Sequence, residues 1–130
     1  MKFLFVAPRF HTNQVSIVKL LNRKYKVFFN SIYRGKNENY KNLRPFFLKQ
    51  SIFSKFIEKI FKTQNFKILY FPEVKECYSK FKKVDPDYII IRMYGKLYTY
   101  FFASIAKILG KKILLFEQCE NDFSHLKNRI

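Results

Sequence analysis

Three short stretches of the sequence gather charged, hydroxyl and amide side chains directly after apolar runs. They are residues 9–13, 92–96 and 117–121. Arg9 and His11 in the first stretch can donate charge-assisted hydrogen bonds to an anion. The three stretches together predict a polar, anion-binding cleft, provided that the fold brings them to one place.

The first stretch precedes a predicted helix, whose free N–H groups and dipole favour an anion such as a diphosphate. Arg9, Thr12 and Asn13 are candidate binding residues there. Thr12 or Asn13 can instead serve only as the cap of that helix. His11 is either functional or an ordinary surface side chain.

The second and third stretches contain one unexpected charge. Arg92 follows three isoleucines, where a buried strand does not normally admit a charged residue. It either faces a crevice at the end of its strand or pairs with Glu117 on the neighbouring strand, and both can hold. Tyr94 and Tyr98 can stack on a ligand ring or pack in the core. The candidate binding residues of these stretches are Arg92, Tyr94, Gly95, Lys96 and Gln118.

Strand and helix patterns alternate along the 130 residues, which is typical of an α/β domain. Predicted strands cover residues 2–7, 25–32, 45–48, 88–93 and 111–116, with an extended piece at 66–71, and predicted helices cover 12–24, 51–62, 72–84 and 97–109. We expect a Rossmann-like parallel sheet in the order 3-2-1-4-5 with helices on both faces. Ligands of such sheets bind beyond the carboxyl ends of the strands, between the first and fourth, where the three stretches should meet.

Several functional classes are disfavoured by missing motifs. No glycine-rich dinucleotide fingerprint follows the first strand, and the sequence contains no P-loop. Cys77 and Cys119 lack the spacing of a disulfide framework or a zinc site, so no metal is expected. The apolar run near the amino terminus is too short for a signal peptide or a bilayer span, which favours the cytoplasm.

The formal net charge of +17 predicts attraction to phosphates on nucleic acid, anionic lipid or a diphosphate-linked sugar. The 20 lysines against 6 arginines fit either selection for charge or an AT-rich coding sequence. The lysines are spread along the chain and no recognition motif is present, which disfavours nucleic acid as the partner.

The predicted helix at residues 51–62 is amphipathic and basic. One half of its circumference is apolar, and the other carries Ser, Lys and Glu side chains. The apolar half either packs on the sheet or lies in an anionic membrane surface. The candidate membrane residues are Phe53, Lys55, Phe56 and Lys59.

Residues 1–13, 85–92 and 106–118, taken in this order, resemble the N-terminal domain of glycosyltransferase family 4, bacterial enzymes with the two-domain GT-B architecture. The resemblance covers most of the chain and implies an acceptor-side domain at residues 1–130. It implies that a second domain, absent from this sequence, holds the nucleotide-sugar donor, and that no cofactor is bound in this chain. The chain departs from the family in lacking the Gly-Gly pair that many members have in the first loop, so side chains would have to take its place.

The resemblance places residues 9–13 near the donor phosphate or the acceptor hydroxyl, and residues 92–96 and 117–118 on the acceptor side. His11 and Glu117 become the candidate catalytic residues. The expected acceptor is a sugar or a lipid-linked glycan, in polysaccharide biosynthesis in the cytoplasm or on the inner face of its membrane. The chain alone is expected to be an incomplete, inactive half of the enzyme. The alternatives are a basic nucleic-acid-binding module or a non-catalytic α/β module.

Overall fold

The computed structural model describes residues 1–7, 12–31, 45–61, 71–92 and 97–116. Five parallel strands form one sheet in the order β3-β2-β1-β4-β5, which confirms the predicted topology. The strands are β1 (Lys2–Ala7), β2 (Lys26–Ser31), β3 (Phe46–Phe47), β4 (Tyr88–Arg92) and β5 (Lys112–Phe116). The predicted extended piece at 66–71 lies outside the described residues except for Phe71.

The described residues form four helices: α1 (Thr12–Lys24), α2 (Ile52–Phe61), α3 (Val74–Val84) and α4 (Leu97–Ile108). Helix α4 is followed by Gly110 with φ of 64°, a left-handed conformation that glycine adopts without a steric penalty. The helix predicted from Pro72 begins at Val74 instead. Pro72 forms an antiparallel bridge with Gln50, and Glu73 takes the N-cap position.

Strand β1 lies in the middle of the sheet and is buried from Phe3 to Ala7. It pairs with β2 over all six residues and with β4 from Phe3 to Val6. An uninterrupted apolar run suits this position because both faces of a central parallel strand are covered by helices.

The core consists of two clusters, one on each face of the sheet. On one face, Phe3, Phe5 and Phe29 pack with Val18 of α1. On the other, Leu4 and Val6 pack with side chains of α3 and α4, namely Cys77, Phe81, Tyr98, Phe102, Ile105 and Ala106. The helices therefore cover both faces, as the doubly wound topology requires.

The apolar faces of α1 and α3 are wider than the area that the sheet covers. Val18 is fully buried, whereas Ile17 and Leu20 of the same helix are exposed. Val74 and Tyr78 of α3 are likewise exposed. Each helix rests on the sheet along a single stripe, so apolar residues at the margins of the stripe remain accessible.

The turn between α3 and β4 fixes the amino edge of the sheet. Asp85 ends α3 with a positive φ of 45°, and its carboxylate accepts a 2.6 Å hydrogen bond from Lys111 Nζ. Asp87 Oδ2 accepts a 2.7 Å hydrogen bond from the Lys2 backbone N–H. These side chains join the starts of β1, β4 and β5, so their role is structural.

Stability should depend on pH through Asp85. The hydrogen bond from Lys111 and then its charge hold the pKa of Asp85 below the ordinary value of 3.8. A carboxylate with a lowered pKa stabilises the fold above its ordinary pKa, and this contribution disappears as the pH falls through the lowered pKa. Asp85→Asn should therefore lower the melting temperature at pH 7, with the difference vanishing in acid.

The matched control for this prediction is Lys111→Gln. In that background Asp85→Asn should have a much smaller pH-dependent effect, because the ammonium group that lowers the pKa of Asp85 most is gone and only the weaker influence of the Lys2 charge remains. An unchanged difference between pH 7 and pH 3 in thermal melts would contradict the assignment.

Candidate functional site

The carboxyl edge of the sheet brings together the ends of four long strands. Strands β1, β2, β4 and β5 end there at Ala7, Ser31, Arg92 and Phe116. From β1 the chain continues to β2 and β3 on one side. It then returns to the other side of β1 to form β4 and β5. This is the switch point at which open α/β sheets bind their ligands.

Arg92 is the last residue of β4 and is half-buried. Side chains alternate along a strand, so Arg92 lies on the face of Ile90, which is the face that α1 covers. The Nε and Nη1 atoms of its guanidinium are shielded from solvent. A shielded guanidinium at a strand end is a planar, permanently charged donor suited to a phosphate or a carboxylate.

The main chain at Arg92 is held in place by α4. The Tyr98 hydroxyl donates a 3.3 Å hydrogen bond to the carbonyl oxygen of Arg92. Tyr98 is only 1% exposed and belongs to the core cluster of α3 and α4. Of its two predicted roles, packing is the one observed.

Asn30 is a candidate binding residue that the sequence analysis did not identify. It precedes Ser31 at the end of β2 and is 2% exposed. In the described part of the chain, no acceptor lies within hydrogen-bonding distance of its Nδ2. Its register neighbours are Val6 and Phe46, so the amide is buried beside apolar side chains. The sequence does carry a signal for Asn30: it is an amide that follows an apolar run near the end of a predicted strand.

Most of the predicted site residues lie outside the described part of the structure. These are Arg9, His11, Tyr94, Gly95, Lys96, Glu117 and Gln118. Thr12 and Asn13 form the first turn of α1, whose amino terminus faces the carboxyl edge because α1 follows β1 directly. The pairing of Arg92 with Glu117 therefore stays a prediction.

Other reactive groups among the described residues fit structural roles. Burial, and then the charge of Glu76, raise the pKa of the Cys77 thiol to about 12, so this residue is neutral and packs in the core. The described ranges contain no group of three or more His, Cys, Asp or Glu side chains that could hold a metal ion.

Helix α2 exposes its apolar side, so of the two alternatives for this side, packing on the sheet is not the one observed among the described residues. Five apolar side chains of α2 are 56–86% exposed, and we call them the α2 stripe: Ile52, Phe53, Phe56, Ile60 and Phe61. Lys55 and Lys59 are also exposed and lie three residues from Ile52 and Phe56, on one border of the stripe. Within the described residues, no helix is long and apolar enough to cross a membrane.

The polar side of α2 attaches the helix to the domain. Ser54 is 3% exposed, and its hydroxyl accepts hydrogen bonds from Gln50 Nε2 at 3.0 Å and from the Phe71 backbone N–H at 3.3 Å. Gln50 Nε2 also lies 3.0 Å from Glu58 Oε2, one turn further along the same side. Hydrogen bonding at Ser54 explains why a polar residue is buried while neighbouring phenylalanines are exposed.

Comparison with known proteins identifies a fold. No family model matches the sequence, and no curated protein matches it either. Among solved structures, the chain is similar to the spinosyn forosaminyltransferase SpnP, with a TM-score of 0.61 and 13% sequence identity. The match covers 98% of this chain and 33% of that one, so the chain spans about a third of its length. The chain therefore has a glycosyltransferase-like α/β fold.

The buried amide of Asn30 should cost stability. Asn30→Val replaces it with an apolar side chain that suits a strand, so we expect the free energy of unfolding to rise by about 1 kcal/mol. Urea denaturation measures the change. The control is Asn30→Asp, which buries a charge at the same site and should lower stability. A loss of stability in Asn30→Val would show that the amide is needed by the fold itself.

Proposed function

We propose that this chain is the acceptor-binding half of a GT-B glycosyltransferase, which moves a sugar from a nucleotide-sugar donor to a glycan or lipid-linked acceptor. The observation that carries the proposal is the shielded guanidinium of Arg92 at the switch point of a glycosyltransferase-like sheet. The site lies at the edge where a ligand of such a sheet binds. The resemblance of residues 1–13, 85–92 and 106–118 to family 4 supports the same conclusion.

In this proposal the described residues have separate tasks. Arg92 supplies a permanent positive charge on the α1 side of the edge, and the amino terminus of α1 adds the partial charge of its dipole. Asn30 supplies a buried donor on the opposite face, suited to a hydroxyl or carbonyl oxygen. Charge on one side and neutral hydrogen bonding on the other suit a ligand with both an anionic group and hydroxyl groups.

His11 and Glu117 stay the proposed catalytic residues. Both follow strand ends that meet at the carboxyl edge, because β1 ends at Ala7 and β5 ends at Phe116. We place the donor in a second domain of the longer polypeptide and the reaction on the cytoplasmic side of the membrane. No cofactor besides the nucleotide sugar is required.

The isolated chain should bind nucleotide sugars weakly. A micromolar dissociation constant needs about 8 kcal/mol of binding free energy, which half of a cleft should not supply. We expect isothermal titration with UDP-glucose and dTDP-glucose to give no saturation at micromolar concentrations and sugar-transfer assays to give no product. Micromolar binding to this chain would contradict the assignment of the donor site to another domain.

In the longer polypeptide, Arg92→Gln should lower kcat/KM for sugar transfer by roughly a hundredfold, because a positioned polar contact in a water-poor cleft contributes a few kcal/mol. His11→Ala and Glu117→Ala should have effects of similar size. The control is Lys111→Gln at the amino edge, which should leave transfer unchanged. Thermal melts separate lost activity from lost folding, and full activity in Arg92→Gln would exclude this arginine from the site.

A further inference from the structure

Helix α2 presents its apolar side to solvent by a specific attachment and not through fraying. The Ser54 hydroxyl and the Gln50 carboxamide bind its polar side to the domain. In the described part of the chain, neither core cluster contains an α2 side chain. Because the polar side of α2 faces the domain, the α2 stripe faces solvent. Exposed apolar groups of this extent indicate an interaction surface.

We propose that the α2 stripe docks on an anionic membrane surface, lying parallel to it with the phenylalanines at the boundary of headgroups and acyl chains. The inference does not rest on the proposed glycosyl transfer, since lipid binding requires neither donor nor acceptor. Ile52, Phe53, Phe56, Ile60 and Phe61 form the inserted side. Lys55 and Lys59 along the border of the stripe reach the lipid phosphates.

Charge favours the membrane over a second copy of this chain at this surface. The chain carries a formal net charge of +17, so a second copy would approach against strong repulsion, whereas anionic lipids attract it. The only acidic residue of α2, Glu58, is hydrogen-bonded to Gln50 on the attached side of the helix. The lysines therefore border the stripe, and the carboxylate lies away from it.

Docking at α2 also orients the candidate site. Helix α2 begins at Ile52, shortly after β3 ends at Phe47 on the carboxyl edge. Its first turn is joined by the bridge between Gln50 and Pro72 to the segment that leads into α3. Since α3 runs opposite to the strand that follows it, its amino terminus also lies near this edge. The amino-terminal end of α2 therefore lies near the edge that carries Arg92 and Asn30.

The test is co-sedimentation of this chain with phospholipid vesicles. We expect the chain to sediment with mixed phosphatidylglycerol and phosphatidylcholine vesicles, to remain in solution with phosphatidylcholine alone, and to be released by raised salt. Phe53→Ser combined with Phe56→Ser should lower partitioning at least about tenfold, because two apolar side chains are lost from the interface. Lys55→Gln combined with Lys59→Gln should lower it by about tenfold or more on anionic vesicles.

The matched control is Leu20→Ser combined with Ile108→Ser. These side chains are 65% and 80% exposed, as accessible as the phenylalanines, but they lie on α1 and α4. This variant should sediment like the unmodified chain. Circular dichroism should show all variants folded, because every substituted residue is exposed.

Several outcomes would overturn the proposal. One is failure to sediment with anionic vesicles, and another is equal loss of binding in the stripe variant and the control variant. A concentration-dependent dimer that Phe53→Ser with Phe56→Ser dissolves, without vesicle binding, would assign the stripe to a second copy instead. Unfolding of that double variant would assign the stripe to the core.

Discussion

The pairing of β1 with two neighbours is the constraint on which the rest of the structure depends. Its backbone bonds to β2 on one side and to β4 on the other, and its side chains from Phe3 to Ala7 are buried on both faces. A strand in this position must be apolar throughout, so it cannot itself supply a polar group to a ligand. Polar side chains that could contact a ligand are therefore expected at the end of β1 and at the ends of the neighbouring strands. In keeping with this, Arg92 is the last residue of β4 and Asn30 is the penultimate residue of β2.

The strand order could be derived from the sequence because the central strands have continuous apolar runs and because crossovers between parallel strands follow a general rule of handedness. Arg92 could be identified for the same reason, since a charge after three isoleucines contradicts the pattern that defines the strand. Asn30 was missed because an amide in a strand disturbs the hydrophobic pattern less than a charge does. Its burial is a property of the packed sheet, where Val6 and Phe46 flank it, and a linear pattern does not contain that information.

The two alternatives for α2 could not be separated from the sequence, for a different physical reason. Amphipathicity shows that a helix has an apolar side, but it does not determine what that side contacts. In a typical flanking helix, burial of the apolar side on the sheet dominates, as for Val18 of α1 and Phe81 of α3. In α2, the hydrogen bonds at Ser54 and Gln50 orient the helix from its polar side. The bond from the Phe71 N–H to Ser54 joins residues that are 17 positions apart in sequence, so it becomes visible only in the folded chain.

The two edges of the sheet differ in how their polar side chains are satisfied. At the amino edge, Asp85 and Asp87 find their partners within the chain, in Lys111 and the Lys2 backbone, so these charges are satisfied by the fold. At the carboxyl edge, the Asn30 Nδ2 has no acceptor among the described residues, and α2 exposes apolar side chains that the core does not use. A fold under selection for stability alone would remove both features, since a buried amide and an exposed apolar stripe each cost free energy. The proposed ligand site and the proposed membrane surface would account for these two features.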